Sequence, residues 1–358
     1  MRDAQGNRCI QSTWIRWAPK PDRMTYVLTY RPVIGVLTLV FALLIACDSD
    51  HDIVLAHDLV APRGLARAAD GGILVAEGGA GRVLALRDDG EVVEVATGLP
   101  VSLDAGPGGN TAAGPSGVTP WPNEGDALAV VVGEYRGGRF SRVYAVAADG
   151  SVEGVTPESD PLDSVGMVNP YDVVALGADL IVSDPGANAL WRVTAAGDVL
   201  SYAEFADLEG LVEGRTVEVV PTGMHLAPDG TLYVASLTGY PYPVDAASVY
   251  AIRDMNDDGD ALDAGEVTVA ATGFTAATDV AAYDGALLVT EYSADMRALV
   301  EEHGVDEAEA VPGRLVRWDD GAITVVTELV SPTSVLVDGN AAIVCEEFRG
   351  RVLRVALD

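Results

Sequence analysis

The sequence predicts an all-β protein, a closed ring of six four-stranded sheets, from three observations. A motif of the form Pro/Ala-x-x-(apolar)-x recurs six times after residue 50, at spacings of 53, 55, 51, 56 and 55 residues. Each copy is followed by alternating apolar runs of strand length. The last copy has only three such runs, and residues 53–59, IVLAHDL, supply a fourth from the N-terminal side. This period, with four strands per unit, is typical of a six-bladed β-propeller.

The clearest copy, residues 221–274, shows how each blade is built. PTGMH begins the first strand, a PDG turn leads into LYVAS, and SVYAIR and EVTVAA supply the third and fourth strands. An N-terminal strand that completes the last blade removes the free edges of an open sheet, so we expect the ring to close there. Two sandwiches or a β-solenoid would explain neither the six copies nor the split last unit. The first strands begin at Pro62, Pro115, Pro170, Pro221, Ala277 and Pro332.

The charge of the chain argues against nucleic acid as a partner. The formal net charge is −32, and after residue 47 there are 52 acidic against 16 basic residues. Such a surface repels phosphate backbones and favours solubility and cation binding. Cys9, Cys47 and Cys345 match no metal or redox spacing, and Cys345 lies in an apolar run typical of a buried thiol. We expect a monomer.

The N-terminal segment predicts export. Residues 33–46 form an apolar run of 14 residues, short for a membrane span but suited to a signal peptide. The run ends in LIAC at Cys47, which resembles the bacterial lipobox, where cleavage leaves a lipidated cysteine. We therefore expect residues 1–47 to be a signal peptide, with Met24 as an alternative start. Residues 48–358 would be a propeller anchored through Cys47 to a bacterial membrane, on its periplasmic or cell-surface side. The alternative is an uncleaved anchor helix.

Several motifs resemble those of a known family. They are Pro62-Arg63-Gly64-Leu65, Asn169-Pro170-Tyr171, LTGYPYP at 237–243 with AASVY at 246–250, and TGFT at 272–275. These motifs are similar, over residues 58–295, to the propeller family linked to scytonemin biosynthesis (ScyD/ScyE), and single copies resemble NHL-type repeats. The resemblance implies a six-bladed propeller connected with secondary metabolism. The family's long Cys-containing insertion in the first blade is replaced here by residues 77–82.

Three long insertions predict where a ligand binds. In a propeller, the loops entering the first strands and the loops between second and third strands share one face, here called the top face. Insertions at 100–114, 237–247 and 293–312 map to it. The second presents Tyr240 and Tyr242 as ligand-binding candidates. The third predicts a helix, a lid or a simple cover, that ends at Gly304. Its apolar face would contain Met296, Leu299, Val300 and His303.

Carboxylates are expected at the same face. Clustered carboxylates raise one another's pKa or recruit a divalent cation, so Asp172 and Asp279 are candidate catalytic acids. His225, two residues after Gly223, is a candidate base that could face the channel. Alternatively, the acids cap turns and hydrogen-bond neighbouring blades. The channel-entry positions are Gly64, Gly117, Asp172, Gly223, Asp279 and Ser334. The acids that end the second strands, all ligand-binding candidates, are Glu77, Glu134, Asp184, Glu291 and Glu346.

A divalent cation in the channel is a further expectation. The repeats are similar to those of gluconolactonase-like and paraoxonase-like propellers, which implies a catalytic calcium ion at this place. The ligand sets of those proteins include Asn residues from several blades. None of the six channel-entry positions in this chain is Asn.

An acidic loop at residues 254–266 predicts a calcium site on the opposite, bottom face. Its first part, DMNDDGD, fits the D-x-N-x-D-G start of an EF-hand loop, in which oxygen ligands alternate and a glycine allows the sharp turn. No helices flank it and the closing glutamate comes one residue late, so we expect an EF-like loop with a structural role. The alternative is a solvated acidic turn. The candidate ligands are Asp254, Asn256, Asp258, Asp260 and Glu266.

Three functions are consistent with these features. The leading hypothesis is a tethered, extracytoplasmic propeller that binds a small molecule or a protein partner on its top face, with structural calcium in the fourth blade. The enzyme hypothesis is a metal-dependent lactonase or secondary-metabolite tailoring enzyme that uses Asp172 and Asp279. The third is a purely structural interaction module. No Ser-His-Asp order, HExxH, P-loop or dinucleotide fingerprint decides among them, and fold does not fix function.

Overall fold

The computed structural model describes residues 52–106, 109–121, 127–133, 141–158 and 167–357, with the side chains of 103–106, 109–111 and 306 excepted. The chain divides into two units, and the described residues all belong to the second, Ser49–Asp358. The predicted lipidation site Cys47 and the predicted ligand-binding residue Glu134 lie outside the described residues. Within the described ranges, no helix is both long and apolar enough to span a membrane.

The strands between Ile53 and Glu204 are short, mostly five or six residues. In chain order they are β1 (Ile53–Ala56), β2 (Pro62–Arg67), β3 (Ile73–Glu77), β4 (Arg82–Leu86), β5 (Val92–Thr97), β6 (Ser102–Gly106), β7 (Gly109–Ala113), β8 (Pro115–Pro120), β9 (Leu128–Val132), β10 (Arg142–Val146), β11 (Val152–Gly154), β12 (Asp172–Leu176), β13 (Asp179–Asp184), β14 (Ala189–Val193) and β15 (Val199–Glu204).

Blades four and five have longer outer strands, of eight residues each. After Glu204 the strands are β16 (Leu208–Val212) and β17 (Arg215–Val217), which form a small hairpin, and then β18 (Pro221–Leu226), β19 (Leu232–Ser236), β20 (Ala247–Ile252), β21 (Val267–Phe274), β22 (Ala277–Tyr283), β23 (Ala286–Glu291), β24 (Gly313–Asp319), β25 (Ala322–Leu329), β26 (Pro332–Asp338), β27 (Ala341–Glu346) and β28 (Arg351–Ala356).

Six antiparallel four-stranded sheets form the blades. Blades one to five are β2–β5, β8–β11, β12–β15, β18–β21 and β22–β25, and blade six is β26–β28 with β1 as its outer strand. The first strands contact one another in a closed series, from β2 to β8, β12, β18, β22, β26 and back to β2. Ile53 pairs with Arg354 and Ala56 with Val352. The structure thus confirms the six-bladed propeller and its closure by the N-terminal strand.

The hydrophobic core lies between blades. Each neighbouring pair of blades shares one cluster of buried side chains, such as Leu74 and Val83 of blade one against Val130 of blade two. The second strands contact both neighbours, which explains why runs such as Ile73–Ala76 are apolar without alternation and buried throughout. Hydrophobic burial therefore joins each blade to the next around the ring.

The first strands approach closely at the ring centre. A Cβ atom added to Gly64 would lie 2.3 Å from the Ser116 carbonyl oxygen, and one added to Gly223 would lie 2.2 Å from a carboxylate oxygen of Asp279. Only glycine fits at these two positions because the next blade is already there. The channel is consequently narrow at this level, and the polar side chains above it are crowded together.

Three insertions stand on the top face besides the loop at 237–247, which joins β19 to β20. Two are the hairpins β6–β7 and β16–β17, which precede blades two and four. The third is helical and consists of α1 (Met296–Ala298), a π-helical turn (Leu299–His303) and a 3₁₀ turn (Val305–Ala310). Leu299 is completely buried there, and the left-handed φ of Gly304 ends the first part. The helix predicted in this insertion and its end at Gly304 are confirmed, whereas the sequence indicated neither hairpin.

Candidate functional site

The acids at the ends of the second strands form a repeated buried anchor. In blade five, Glu291 accepts a hydrogen bond from the Thr275 backbone N–H at 2.5 Å and another from the Arg314 side chain, which lies opposite it on β24. The same arrangement holds Glu77 to Val60 N (2.6 Å) and Arg82, and Glu346 to Val330 N (2.6 Å) and Arg351.

Blade three carries the shorter version of this anchor. Asp184 accepts bonds from the Val168 and Asn169 backbone N–H groups at 2.7 and 2.8 Å and from the Trp191 indole at 3.0 Å. The carboxylates of Glu77, Asp184, Glu291 and Glu346 are all completely buried. They lie at the top face, as their spacing predicted, but both oxygens of each already hold the entering loop and the third strand.

A second repeated contact joins neighbouring blades. One residue after the start of the first strand, four blades carry Ser or Thr, and the hydroxyl donates to a backbone carbonyl of the next blade. Thr278, for example, donates to Pro332 O at 2.8 Å. We call this contact the hydroxyl clip. The other three are Ser116 to Pro170 (3.2 Å), Thr222 to Ala277 (3.0 Å) and Thr333 to Pro62 (3.2 Å).

Blades one and three carry Arg63 and Tyr171 at the clip position instead. Arg63 Nε and Nη2 donate to Glu347 Oε1 at 3.0 and 2.7 Å, and the Tyr292 hydroxyl donates to Glu347 Oε2 at 3.1 Å. The Tyr171 hydroxyl donates to the Thr333 carbonyl at 3.3 Å, from blade three to the opposite blade six. Arg63, Tyr171, Tyr292 and Glu347, the central cluster, therefore gather side chains of four blades.

Burial fixes the charges of the central cluster. Burial by itself would lower the pKa of Arg63, but attraction to Glu347 and the hydrogen bond with it raise that pKa above its ordinary value, so the guanidinium stays charged. Burial raises the pKa of the Tyr171 and Tyr292 phenols, which therefore remain hydrogen-bond donors. The Arg63 side chain is 16% exposed and Glu347 5%. Within the described residues, Arg63 Nη1 makes no hydrogen bond.

The two channel aspartates link blades and hold protons tightly. Asp172 accepts bonds from the Val173 and Met224 backbone N–H groups, both at 2.8 Å. Asp279 Oδ2 accepts from Ser334 Oγ and Val335 N, each at 2.8 Å. Burial raises the pKa of Asp172 to about 7. Burial, and next the charge of Asp172, raise the pKa of Asp279 well above its ordinary value. This acid pair therefore holds a proton close to neutral pH.

The donor set for a channel cation is sparse. In the part of the chain that the structure describes, no three His, Cys, Asp or Glu side chains are grouped to hold a metal ion. Glycine occupies three of the six channel-entry positions, and the carboxylate oxygens of Asp172 and Asp279 accept backbone hydrogen bonds. These residues do not match a calcium ligand set as they stand, so we derive no metal-dependent step. The channel cation stays a prediction.

His225 takes no part in the hydrogen bonds described for Asp172 and Asp279. Met224 packs between blades three and four, so alternation along β18 directs His225 to the other side, towards blade five. It pairs in register with Tyr233. Burial lowers the pKa of His225, so the imidazole is neutral near pH 7. Its role as a base stays a prediction.

Tyr240 and Tyr242 belong to a contact among three top-face insertions. Their rings meet edge to face at 5.9 Å between centroids. The Tyr240 hydroxyl donates to Glu301 Oε1 of the helical insertion at 2.6 Å, and the Arg215 guanidinium of hairpin β16–β17 lies 5.6 Å from the Tyr240 ring centroid. Tyr240 is half exposed and remains accessible to a ligand.

The acidic loop of blade four lies on the bottom face, between β20 and β21. Asp254 Oδ2 accepts from Gly259 N at 2.8 Å, and Asp254 Oδ1 is buried with no hydrogen-bond partner among the described residues. Glu266 accepts from the backbone of Met255 (2.8 Å) and Asp263 (3.0 Å). Arg192 of blade three donates to Gly259 O at 2.7 Å, which ties the loop to its neighbour.

Sequence reasoning missed the central cluster as a site. Two of its members lay in motifs already noted, since Arg63 and Tyr171 each directly follow the proline that starts a first strand. In the sequence, both residues differ from the Ser or Thr that the other four blades carry at the same position. Tyr292 and Glu347 each directly follow an acid that ends a second strand, and nothing in the sequence alone pairs them with blade one.

Comparison with known proteins supports the fold. No family model matches the chain, and no curated protein matches it. Among solved structures, a gluconolactonase from Xanthomonas campestris is 15% identical with a TM-score of 0.54, covering 87% of this chain and 91% of that one.

Two further solved structures cover similar shares. A PQQ-bound aldose sugar dehydrogenase from Streptomyces coelicolor is 12% identical with a TM-score of 0.54, covering 85% and 96%. A virginiamycin B lyase from Staphylococcus aureus, in complex with quinupristin, is 15% identical with a TM-score of 0.50, covering 86% and 99%. At these identities the likeness shows the fold alone: the chain is a six-bladed propeller similar to those of lyases, gluconolactonases and sugar dehydrogenases.

Proposed function

We propose that this protein is an exported, membrane-anchored propeller that binds a small polar molecule at the central cluster on its top face. One observation carries the proposal. Two blades replace the hydroxyl clip by Arg63 and Tyr171, and both side chains instead reach partners contributed by blade six. Polar networks that depart from a structural repeat are expected at functional sites.

The chemistry of the central cluster suits a ligand rich in oxygen atoms. Arg63 Nη1 makes no hydrogen bond to a described residue and is a charged donor in a largely buried place, where charge-assisted hydrogen bonds are strong. Tyr171 and Tyr292 carry protonated phenols, and Glu347 is an acceptor. Hydroxyl, carbonyl and carboxylate groups of a sugar, a sugar lactone or a related metabolite match these donors and acceptors.

A thermal-shift screen tests the proposal. Sugars, sugar lactones and small hydroxy acids would be added to the folded protein, because a ligand at one hundred times its Kd stabilises the native state by about 2.7 kcal/mol. We expect a compound that raises the Tm of the wild type but not of Tyr171→Phe or Arg63→Lys. The control is Thr278→Val, which lowers the starting Tm yet keeps the ligand-induced rise. A rise that persists in both cluster variants contradicts the site. No response to any compound favours the structural interaction module.

A second candidate function, hydrolysis, is favoured by the acid pair. Asp172 has a pKa of about 7, and the pKa of Asp279 is also raised. Such a pair is suited to general acid–base catalysis, in which one acid protonates a leaving oxygen and the other accepts a proton from water. One structurally similar protein is described as a gluconolactonase, and the ScyD/ScyE resemblance points to secondary metabolism. We expect lactone turnover by the wild type and its loss in folded Asp172→Asn. A wild type that turns over no lactone rejects this function.

Calcium binding by the blade-four loop is proposed as a structural addition. The buried Asp254 Oδ1 has no hydrogen-bond partner among the described residues, and the neighbouring Asp258 and Asp260 are carboxylates, so a cation would satisfy the site if those side chains turned inward. Chelation should then lower the Tm of the wild type, and Asp258→Ala should abolish that dependence. An identical melting curve with and without chelator rejects the site.

Lipidation of Cys47 completes the proposal. The LIAC motif after an apolar run supports it. The full-length protein should be recovered in the membrane fraction and Cys47→Ser in the soluble fraction. A wild type that is soluble contradicts the anchor without affecting the ligand site.

A further inference from the structure

We infer that Tyr171 closes the central channel beneath the central cluster, so that the acid pair of Asp172 and Asp279 is reached from the bottom face. Tyr171 then determines how far a molecule on the top face can enter the propeller, which makes it a specificity-determining residue. The inference concerns the route to the acid pair. It holds whether or not a ligand binds at the central cluster, and it therefore goes beyond the proposed ligand site.

The reach of the Tyr171 side chain provides the first argument. Tyr171 belongs to blade three, and its hydroxyl donates to the Thr333 carbonyl of blade six at 3.3 Å. These two blades lie opposite each other in the closed ring, because two other blades separate them on either side. A side chain that joins opposite blades crosses the ring axis. Since Tyr171 directly precedes the channel-entry residue Asp172, its phenol ring lies across the mouth of the channel.

The other side chains at the level of Tyr171 complete the closure. In four blades the hydroxyl clip joins one first strand to the next blade. In blade one, Arg63 instead reaches Glu347 of blade six, and Tyr292 of blade five donates to the same carboxylate. Burial is the main reason why the pKa of the Tyr171 phenol is raised, and the charges of both the central cluster and the acid pair act on it. Tyr171 therefore lies between these two groups.

The exposure of the first strands provides the third argument. The channel-entry residue is buried in five blades, and in blade three Asp172 is partly exposed. Two residues further down, the residue is partly exposed in five blades, and in blade five Ala281 is buried. The partly exposed residues at this lower level are Ala66, Thr119, Val174, His225 and Leu336. Solvent thus approaches the described channel wall from below, and Asp172 lies at the inner end of that approach.

The two candidate functions consequently use different entrances. The phenol ring separates a molecule bound at the central cluster from the carboxyl groups of Asp172 and Asp279. A substrate that the acid pair hydrolyses has to enter from the bottom face, and this consequence rests on the proposed hydrolytic function. Of the five partly exposed wall residues only His225 is ionisable, and burial lowers its pKa, so it is neutral near pH 7. A charged substrate would lose water there without gaining a charged partner, so the wall favours uncharged molecules.

Cysteine reactivity tests the closure. Ser334→Cys places a thiol at the level of the acid pair, and Thr119→Cys places one at the lower level of the wall. Each full-length protein would be treated with methyl methanethiosulfonate, a small uncharged reagent whose reaction with a thiol depends on access. Peptide mass spectrometry follows each cysteine separately, so the native Cys9, Cys47 and Cys345 do not obscure the result.

We expect Thr119→Cys to react readily while Tyr171 is in place and Ser334→Cys to react slowly. Adding Tyr171→Ala should accelerate the reaction at position 334 about tenfold and change that at position 119 less than about twofold, because the reagent then also enters from the top. Tyr171→Phe is the matched control, since it keeps the ring in the channel mouth and should change neither rate. Tyr171→Leu, whose side chain is too short to reach blade six, takes the place of Tyr171→Ala if the alanine variant does not fold.

Three outcomes overturn the inference. An unchanged rate at position 334 in Tyr171→Ala shows that this residue does not close the channel. Equal acceleration at positions 119 and 334 and at the native Cys345 shows a general loosening of the ring instead of an opened mouth. A Thr119→Cys protein that resists the reagent shows that the bottom approach is closed. No ligand is present in these measurements, so the proposed ligand site is judged separately by the thermal-shift screen.

Discussion

Blades that keep the hydroxyl clip and blades that lack it have the same fold but different surroundings at the ring centre. In blades two, four, five and six, the hydroxyl of a short side chain donates a hydrogen bond to a carbonyl of the next blade. In blades one and three the same backbone position carries Arg63 and Tyr171, whose partners, Glu347 and Thr333, belong to blade six. The repeated position is structural, and its exceptions place polar groups in the proposed ligand site.

Loss of a buried anchor should lower the free energy of unfolding more than any other substitution considered below. Glu291→Ala would leave the Thr275 N–H and the Arg314 guanidinium without their buried acceptor. Removing one member of a buried charged pair costs about 3 kcal/mol or more, so we expect the free energy of unfolding to fall by about 3 kcal/mol. Urea denaturation measures it. The control is Glu328→Ala, an exposed acid of the same blade, expected to change stability by less than about 0.5 kcal/mol.

The clip itself gives an intermediate effect. Thr278→Val keeps the shape of the side chain and removes the bonds to Pro332 O and Thr290 Oγ1, so a buried carbonyl and a buried hydroxyl each lose a partner. We expect a loss of about 1.5 kcal/mol in urea denaturation. The matched change at an exception is Tyr171→Phe, which removes one longer bond and should cost about 0.5 kcal/mol. If Tyr171→Phe proved as destabilising as Thr278→Val, Tyr171 would be as structural as the hydroxyl clips, and the contrast between the two kinds of blade would be wrong.

The channel aspartates give the subtlest effect, a change in pH dependence. Unfolded Asp172 ionises near its ordinary value of 3.8, whereas burial keeps the folded carboxyl protonated until about pH 7. The stability that this group contributes is complete below its unfolded pKa and is lost as the pH rises through about 7. The urea midpoint of the wild type should therefore fall more between pH 5 and pH 8 than that of Asp172→Asn.

Asp338 provides the control with the opposite sign. The hydrogen bond with Arg354 lowers its pKa, so its contribution is present above the ordinary pKa and disappears only as the solution becomes strongly acidic. Asp338→Asn should leave the change between pH 5 and pH 8 as it is in the wild type. Parallel curves for wild type and Asp172→Asn would show that the folded Asp172 is not protonated at neutral pH.

Most of the fold could be predicted because its signal is local and repeated. Six copies of a motif and the alternation of strands determine the blades, and an incomplete last copy indicates the closing strand. The hairpins β6–β7 and β16–β17 were not predicted because they lie outside the repeat and their residues lack strong β patterning. Propensity alone does not reveal a hairpin that other top-face elements support.

The candidate site was harder to predict because it depends on contacts between distant blades. Glu291 and Arg314 face each other on adjacent strands, so their pairing follows from the repeat once the strands are aligned. Arg63 and Glu347 are separated by almost the entire chain and meet only because blades one and six are neighbours in the closed ring. The sequence identified carboxylates at the top face, but it could not show which of them were already occupied by backbone N–H groups.

Ring closure by β1 has a consequence for how the chain reaches its native state. β1 emerges from the ribosome before any other strand of the propeller, and its partner β28 emerges last. Contacts between such distant segments are slow to form because the loop between them must be ordered first. We expect blades one to five to assemble in order and blade six to form at the end. A chain that stops before Arg351 would lack β28 and keep an open ring, so a stable propeller requires its first strand and its last strand together.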